Sequence, residues 1–182
     1  MFERFKSKAE EARAEIFRFP DTPAAVEFLT AWLRQEGASA TPGSAALFAE
    51  APYLTGPVRE CLTRIPGVRF DVSREQAAQA AFGVSQMDWA LADTGTLVQD
   101  ATAVAQRLVS TLPPVHIALV PTAGLLPDLP ALLSRVDPRQ SGYLAFITGP
   151  SRTADIERVL TIGVHGPKRL IALFVDDLKA RA

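Results

Sequence analysis

The sequence predicts an α/β fold built on a largely parallel β-sheet, and two observations lead there. Three short apolar runs, Ile117–Val120, Leu144–Thr148 and Leu170–Val175, have the length and continuity of strands covered on both faces. Amphipathic stretches of helical period lie between them, and that alternation marks βαβ architecture. The chain has 182 residues, enough for one domain with a sizeable core, and neither an internal repeat nor a low-complexity linker divides it.

Phe2, Phe5, Ala9, Ala12, Ile16 and Phe19 recur at spacings of three and four, which predicts an amphipathic N-terminal helix over residues 1–20, ended by Pro20. So narrow a stripe resembles a coiled-coil seam. It suits either a helix docked on its own domain or an arm packed on a second copy in a homo-oligomer. A single α/β domain then occupies residues 21–182. Its first helix opens at Asp21-Thr22-Pro23, a capping residue with proline in the first turn, buries Ala25, Val26, Leu29, Trp32 and Leu33, and ends at Gly37.

Proline and glycine at Pro42, Gly43, Pro52, Gly56 and Pro57 cut the next segment into a short strand or turn and two short helical pieces, Ser44–Glu50 and Pro57–Arg64. Val68–Val72 reads as a strand, and Ser73 caps a helix over Arg74–Ala81. Trp89–Ala92 and Thr96–Gln99 read as strands around the turn Asp93-Thr94-Gly95. Ala101–Leu108 suits a small helix or a loop. The strand beginning at His116 leads to a helix over Leu129–Val136. The stretch Tyr143–Asp176 then reads as strand, Gly149-Pro150 turn, a helix burying Ile156, Val159 and Leu160 and ending at Gly163, a Val164–Pro167 loop and a last strand.

Composition excludes several functions. With a net charge of −1 and no dense Lys/Arg run, sequence-independent nucleic-acid binding is disfavoured. One cysteine, Cys61, leaves no internal disulfide and no four-thiolate iron–sulfur cluster; two histidines, His116 and His165, leave no structural zinc site. No metal or resident cofactor is expected. An uninterrupted apolar run long enough to span a membrane is absent, and the N-terminus lacks a signal-peptide apolar core, so a cytoplasmic location is expected.

Chemistry concentrates in two stretches. In Thr148–Glu157, the turn residue Gly149, the hydroxyl of Ser151 and the guanidinium of Arg152 would sit at a helix N-terminus, where free N–H groups favour an anion. Asp155 and Glu157 in the first turn oppose a phosphate there. The second stretch, Asp93-Thr94-Gly95-Thr96, offers a carboxylate, two hydroxyls and an unhindered backbone, and serves equally as a ligand wall or as a simple hairpin closure. His165 lies in a tight loop before the last strand, a position that suits a site role or a place beside a helix C-terminus. His116, opening an apolar strand, reads as a core or edge histidine.

ADTGTLV (92–98), VHIALVP (115–121) and TGPSRTADIERVLTIGVHGPKRL (148–170) together resemble the lactate-utilisation protein C family, whose members carry the LUD domain. The resemblance implies a three-layer α/β/α fold similar to the NagB/RpiA/CoA-transferase-like superfamily. It also implies a non-redox component of L-lactate oxidation to pyruvate, binding a small organic anion or the iron–sulfur partner proteins of that system. It points to Asp93, Asp155, Glu157 and His165 as catalytic candidates and to Thr94, Gly95, Thr96, Gly149, Ser151 and Arg152 as ligand-binding candidates, with Gly166 beside them. The family often has Glu where this chain has Asp93. Losing one methylene would cost a covalent nucleophile about 100-fold in rate, so Asp93 suits binding better than attack. Two other functions fit: an isomerase or acyl/CoA-type transferase working alone, and a structural or regulatory scaffold.

Overall fold

The structure is a computed structural model. It describes residues 1–137, 139–156, 159–162 and 165–180, with side chains for all of these except 153–156 and 159–162. In chain order the elements are α1 (Phe2–Glu11), β1 (Glu15–Phe19), α2 (Thr22–Gln35), β2 (Ala46–Phe48), α3 (Gly56–Thr63), β3 (Val68–Arg69), α4 (Arg74–Gln79), β4 (Phe82–Gln86), β5 (Trp89–Leu91), β6 (Thr96–Asp100), α5 (Val104–Thr111) and β7 (Val115–Pro121). A short 3-10 turn leads to β8 (Leu125–Leu126), α6 (Leu129–Leu133), β9 (Leu144–Ile147), β10 (Arg152–Ile156), β11 (Val159–Ile162) and β12 (Arg169–Val175).

Six strands form a wholly parallel sheet in the order β1-β12-β7-β4-β2-β3. In β12, which lies between β1 and β7, the residues from Leu170 to Val175 are all buried. Alternate residues serve opposite faces, as the pleat requires. Ile171, Leu173 and Val175 join Leu29 and Leu33 of α2 and Leu62 of α3 in one core. Leu170, Ala172 and Phe174 face the other way, against α1 and a second sheet. That second sheet has four strands, β8-β5-β6-β9, with antiparallel pairing on both sides of β6. Its outer face is covered by Leu132 of α6 and by Val136. The α/β fold with a largely parallel sheet is therefore as the sequence predicts, but one of the flanking layers is part helix and part sheet.

Capping chemistry sets the helix starts. Asp21 accepts a hydrogen bond from Ala24 N–H at 2.8 Å, and Ser73 with Gln76 makes a reciprocal capping box at the head of α4. The stripe on α1 is spent within the chain. Phe5 and Ala9 are buried, and the Phe2 and Phe5 rings meet Phe174 edge-on at 5.2 and 4.9 Å. Burying a phenylalanine of this kind is worth about 1.5–3 kcal/mol.

Four sequence expectations are corrected. The N-terminal helix stops at Glu11; Arg13, at φ 68°, turns the chain, and Ile16, Phe17 and Phe19 belong to a strand. Ile16 and Phe19 continued the three-and-four spacing of a helix, yet Ile16, Phe17 and Phe19 favour a pleated sheet and β12 offers the partner. Ser44–Glu50 holds β2 rather than a helix, with Ala46, Leu47 and Phe48 all fully buried. Leu144–Ile147 lies in the second sheet, antiparallel to β6, and not in the parallel one. The helix expected after Arg152 is instead the antiparallel hairpin β10–β11. Thr153, Ile156, Val159, Thr161 and Ile162 are β-branched, and this preference outweighed their helical spacing. The expected stop at Gly163 lies outside the described residues.

The strand β4 was not foreseen, because Gly83 interrupts its apolar pattern. The reason is close approach: a Cβ on Gly83 would stand 1.9 Å from the Val109 carbonyl oxygen of α5. Beside it, His116 is buried and its Nε2 lies 2.9 Å from Ser85 Oγ. Burial lowers the imidazole pKa to about 4. The unfolded chain takes up this proton near pH 6.5 and the folded one only near 4, so folding stability is complete above 6.5 and falls as pH drops between those values. The loss should be on the order of 3 kcal/mol. Urea unfolding from pH 7 to 4 should show it, and His116→Gln should flatten the slope between pH 6.5 and 4.5, where few carboxylates titrate.

Candidate functional site

In an open parallel sheet a ligand crevice forms outside the carboxyl ends of two neighbouring strands whose onward connections run in opposite directions. Here those neighbours are β2 and β4. From β2 the chain passes outward to β3, and from β4 it passes inward to β7. The loops that follow therefore diverge. Between them lies a cleft of about 400 Å³ lined by Glu50, Gln86, Asp88, Gln99, Asp100 and Lys179, together with Ala51, Pro52, Gln106 and Ala180.

The cleft has a built polar floor. Gln99 of β6 is 1% exposed and donates through Nε2 to the backbone oxygen of Gln86 and to Gln106 Oε1, both at 2.7 Å. Gln106 in turn donates to the backbone oxygen of Glu50 at 2.9 Å. This relay ties the loops after β2 and β4 to β6 and α5. Asp88 Oδ2 accepts from Asp100 N–H at 2.7 Å, and Asp100 Oδ1 accepts from the backbone and hydroxyl of Thr102. At the rim, Arg59 hydrogen-bonds Glu50 in a two-pronged pair and holds its carboxyl below the usual carboxylate range. Glu50, Asp88 and Asp100 bring carboxylates to the lining and Lys179 an ammonium, with Glu50 paired to Arg59 and Asp88 and Asp100 engaged as well.

The residues singled out from the sequence lie at the other end of the molecule. Asp93-Thr94-Gly95 is the tip of the β5–β6 hairpin, whereas Asp88 and Asp100 are at its base; four residues of β6 separate the two ends by about 14 Å. Thr96 Oγ1 and Thr148 Oγ1 are 2.7 Å apart, so the Asp93 turn and the Gly149 loop do meet. Ser151 N–H donates to the Pro167 oxygen at 2.8 Å, which sets this loop beside Gly166 and the exposed His165. Because β9 runs antiparallel to β6, the loop at its carboxyl end reaches the amino ends of β7 and β12. A helix N-terminus was the basis of the anion reading there, and a strand follows instead. Side chains of Asp155 and Glu157 lie outside the described residues.

What these residues do in the structure is hold α1. Gly95, at φ 66°, faces the α1 backbone, and a Cβ there would stand 2.4 Å from Ala9 N. Gly149, at φ 71°, would place a Cβ 2.3 Å from the Ala12 oxygen. Arg152 Nη2 donates to that same oxygen at 3.3 Å, satisfying a carbonyl at the helix end. Asp93 Oδ1 is buried with no hydrogen-bond partner among the described residues. Sequence reasoning missed the cleft residues. The available signal was Gln99-Asp100 closing an apolar strand and Gln86 and Asp88 flanking Met87, but β4 had first to be recognised.

The family model for the LUD domain matches residues 2–175, and the chain belongs to that family. Within it, the chain is similar to proteins named Lactate utilization protein C. It is 40% identical to one from Exiguobacterium sp. over 114 residues, which is 59% of this chain and 50% of that protein. The corresponding figures are 37% over 109 residues (57% and 47%) for Halalkalibacterium halodurans and 34% over 117 residues (59% and 49%) for Bacillus pumilus. The chain thus spans about half the length of the relatives it matches. The crystal structure of a DUF162 family protein from Deinococcus radiodurans superimposes with a TM-score of 0.63 at 20% identity, covering 96% of this chain and 95% of that one. The resemblance read from residues 92–170 is borne out, as is the fold.

The grip on α1 is measurable. Gly43 has φ 85° with nothing near its Cβ position, so Gly43→Ala should cost about 1 kcal/mol in urea unfolding. Gly95→Ala and Gly149→Ala carry the same backbone strain plus a clash with α1, and should each cost roughly 2 kcal/mol more. Equal losses at all three positions would remove the contacts from the explanation. Arg152→Ala should lose about 1 kcal/mol, or roughly 3 °C in Tm by calorimetry.

Proposed function

We propose that this chain acts in lactate utilisation, and that its ligand-binding element is the cleft between β2 and β4. The observation that carries the first half is the identity of 33–40% to proteins named Lactate utilization protein C. The second half rests on the cleft's place at the carboxyl ends of the parallel sheet and on its oriented amides. In lactate utilisation the chain would be a non-redox component working beside iron–sulfur proteins that carry the electrons, since one cysteine cannot hold a four-thiolate cluster. The small organic anion expected from the sequence would be held at the opposite end, beside the exposed Arg152 and His165.

One observation favours a second reading, an isomerase or acyl/CoA-type transferase. Carboxylates lining a cleft at the carboxyl ends of parallel strands are the groups such chemistry uses to move protons. The scaffold reading draws least support, because the apolar face of α1 is already covered by its own chain.

The test is complementation. A Bacillus pumilus strain deleted for its Lactate utilization protein C and expressing this chain should regain growth on L-lactate as carbon source. Accumulation of the folded protein without growth would overturn the lactate role.

A further inference from the structure

We propose that the open edge of β9 joins a second copy of this chain, strand against strand about a two-fold axis at Ala145, so that two four-stranded sheets become one. The inference is independent of the cleft. β9 ends the β8-β5-β6-β9 sheet, and among the described residues no strand pairs with its far side. The register shows which backbone groups are left over. Ala101 N–H donates to the Tyr143 oxygen, Gln99 stands opposite Ala145 and Leu97 opposite Ile147. Bonding alternates along an antiparallel strand, so Tyr143, Ala145 and Ile147 bond towards β6. The N–H and C=O groups of Leu144 and Phe146 therefore point outward.

This edge lacks the devices that keep such groups from pairing. Soluble proteins guard edge strands with charges, prolines or short length. At the ends of the parallel sheet, β1 carries Glu15 and Arg18, and β3 is only two residues long with Arg69 as one of them. At the far end of the second sheet, β8 is two buried leucines. β9, with the sequence Leu-Ala-Phe-Ile, has neither charge nor proline. It also leaves Phe146 47% exposed. Leu144 packs with the core of Trp89, Val98 and Leu132 on the outer face of the sheet, and Phe146, opposite Val98, lies on that same face. The helix α6, which covers part of this face, adds Leu129 and Leu133, both exposed.

The pattern is complementary to itself, and this selects a second copy as the occupant. With two β9 strands antiparallel about Ala145, Leu144 of each copy faces Phe146 of the other, and every outward N–H meets an outward C=O. Each exposed Phe146 ring then gains an aliphatic neighbour across the joint, a favourable cross-strand pair. The closest approach falls on the two Ala145 residues, whose Cα atoms stand about 4.5 Å apart in such a pair, and a methyl group is small enough for it. Charge does not oppose the union. The strand is uncharged and the whole chain carries a net charge of −1, so two copies repel each other weakly, whereas a charged foreign peptide finds no counter-charge on this strand.

The test is sedimentation equilibrium of the full chain over a range of concentrations, with cross-linking to fix the register. The chain should associate to dimers. Phe146→Lys places a cation on the edge at an exposed position, and should weaken association by at least about tenfold while leaving Tm unchanged. In a Cys61→Ser background, which removes the only cysteine, Ala145→Cys should give a disulfide-linked dimer under mild oxidation, because Cα atoms at that spacing can be bridged. Leu112→Cys in the same background, exposed just after α5 rather than on β9, should not. A chain that stays monomeric at every concentration would overturn the proposal, as would a dimer that Phe146→Lys leaves intact. A dimer lost in Phe146→Lys but not linked through Ala145→Cys would overturn the two-fold pairing. Should Phe146→Lys lower Tm, the cross-link alone decides.

Discussion

The constraint on which the molecule depends is the common direction of the six central strands. Parallel strands cannot be joined by tight turns, so each connection must cross the sheet and carry a helix or a further sheet with it. That requirement fills both flanks: α2 and α3 on one, and α1 with the β5–β6 hairpin on the other. It also decides where a crevice opens. Once β2 leads one way and β4 the other, their loops part, and residues beyond their carboxyl ends line the crevice. Gln86, Asp88 and Glu50 are there because of strand direction, before any question of chemistry arises.

Much of the fold was legible locally. Ile117–Val120 and Leu170–Val175 are continuous apolar runs because both faces of β7 and β12 are covered, and such runs admit few readings. Asp21 and Ser73 mark helix starts with side chains that do the capping. The misread segments are those where period and propensity disagree. Ile16 and Phe19 continue a helical spacing into a strand, and Ile156, Val159 and Ile162 do the same in β10 and β11. In both cases a neighbouring strand was available to settle the matter, and the local sequence does not contain it.

The site was less legible for a related reason. A loop that follows a strand can lie at either end of the molecule, and only pairing tells which. The Gly149 loop follows β9, whose partner β6 runs antiparallel to it, so its distinctive motif residues gather round α1 and not round the crevice. The crevice itself is assembled from Glu50, Gln86, Gln99, Gln106 and Lys179, five positions spread over the whole chain with no shared spacing. A glutamine in an apolar strand gives no signal until the relay that orients it is seen. The residues that look most like a signature are thus those that fasten the first helix, a use of sequence as demanding as any binding site.

The pairing of β1 with β12 carries a consequence for how the protein is made. Arg169 reaches Glu15 across 154 residues of chain, and the strand between β1 and β7 is the last of the six to be synthesised. Until it arrives, the growing chain holds β1 on one side and β7 on the other with a vacant slot between them, and the edge of β7 that will meet β12 stays open. Contacts of such long sequence separation form slowly, and open strand edges invite pairing with other chains. Synthesis that pauses before β12 emerges would leave a sheet with β1 and β7 unjoined, the stage at which a chaperone has most to protect.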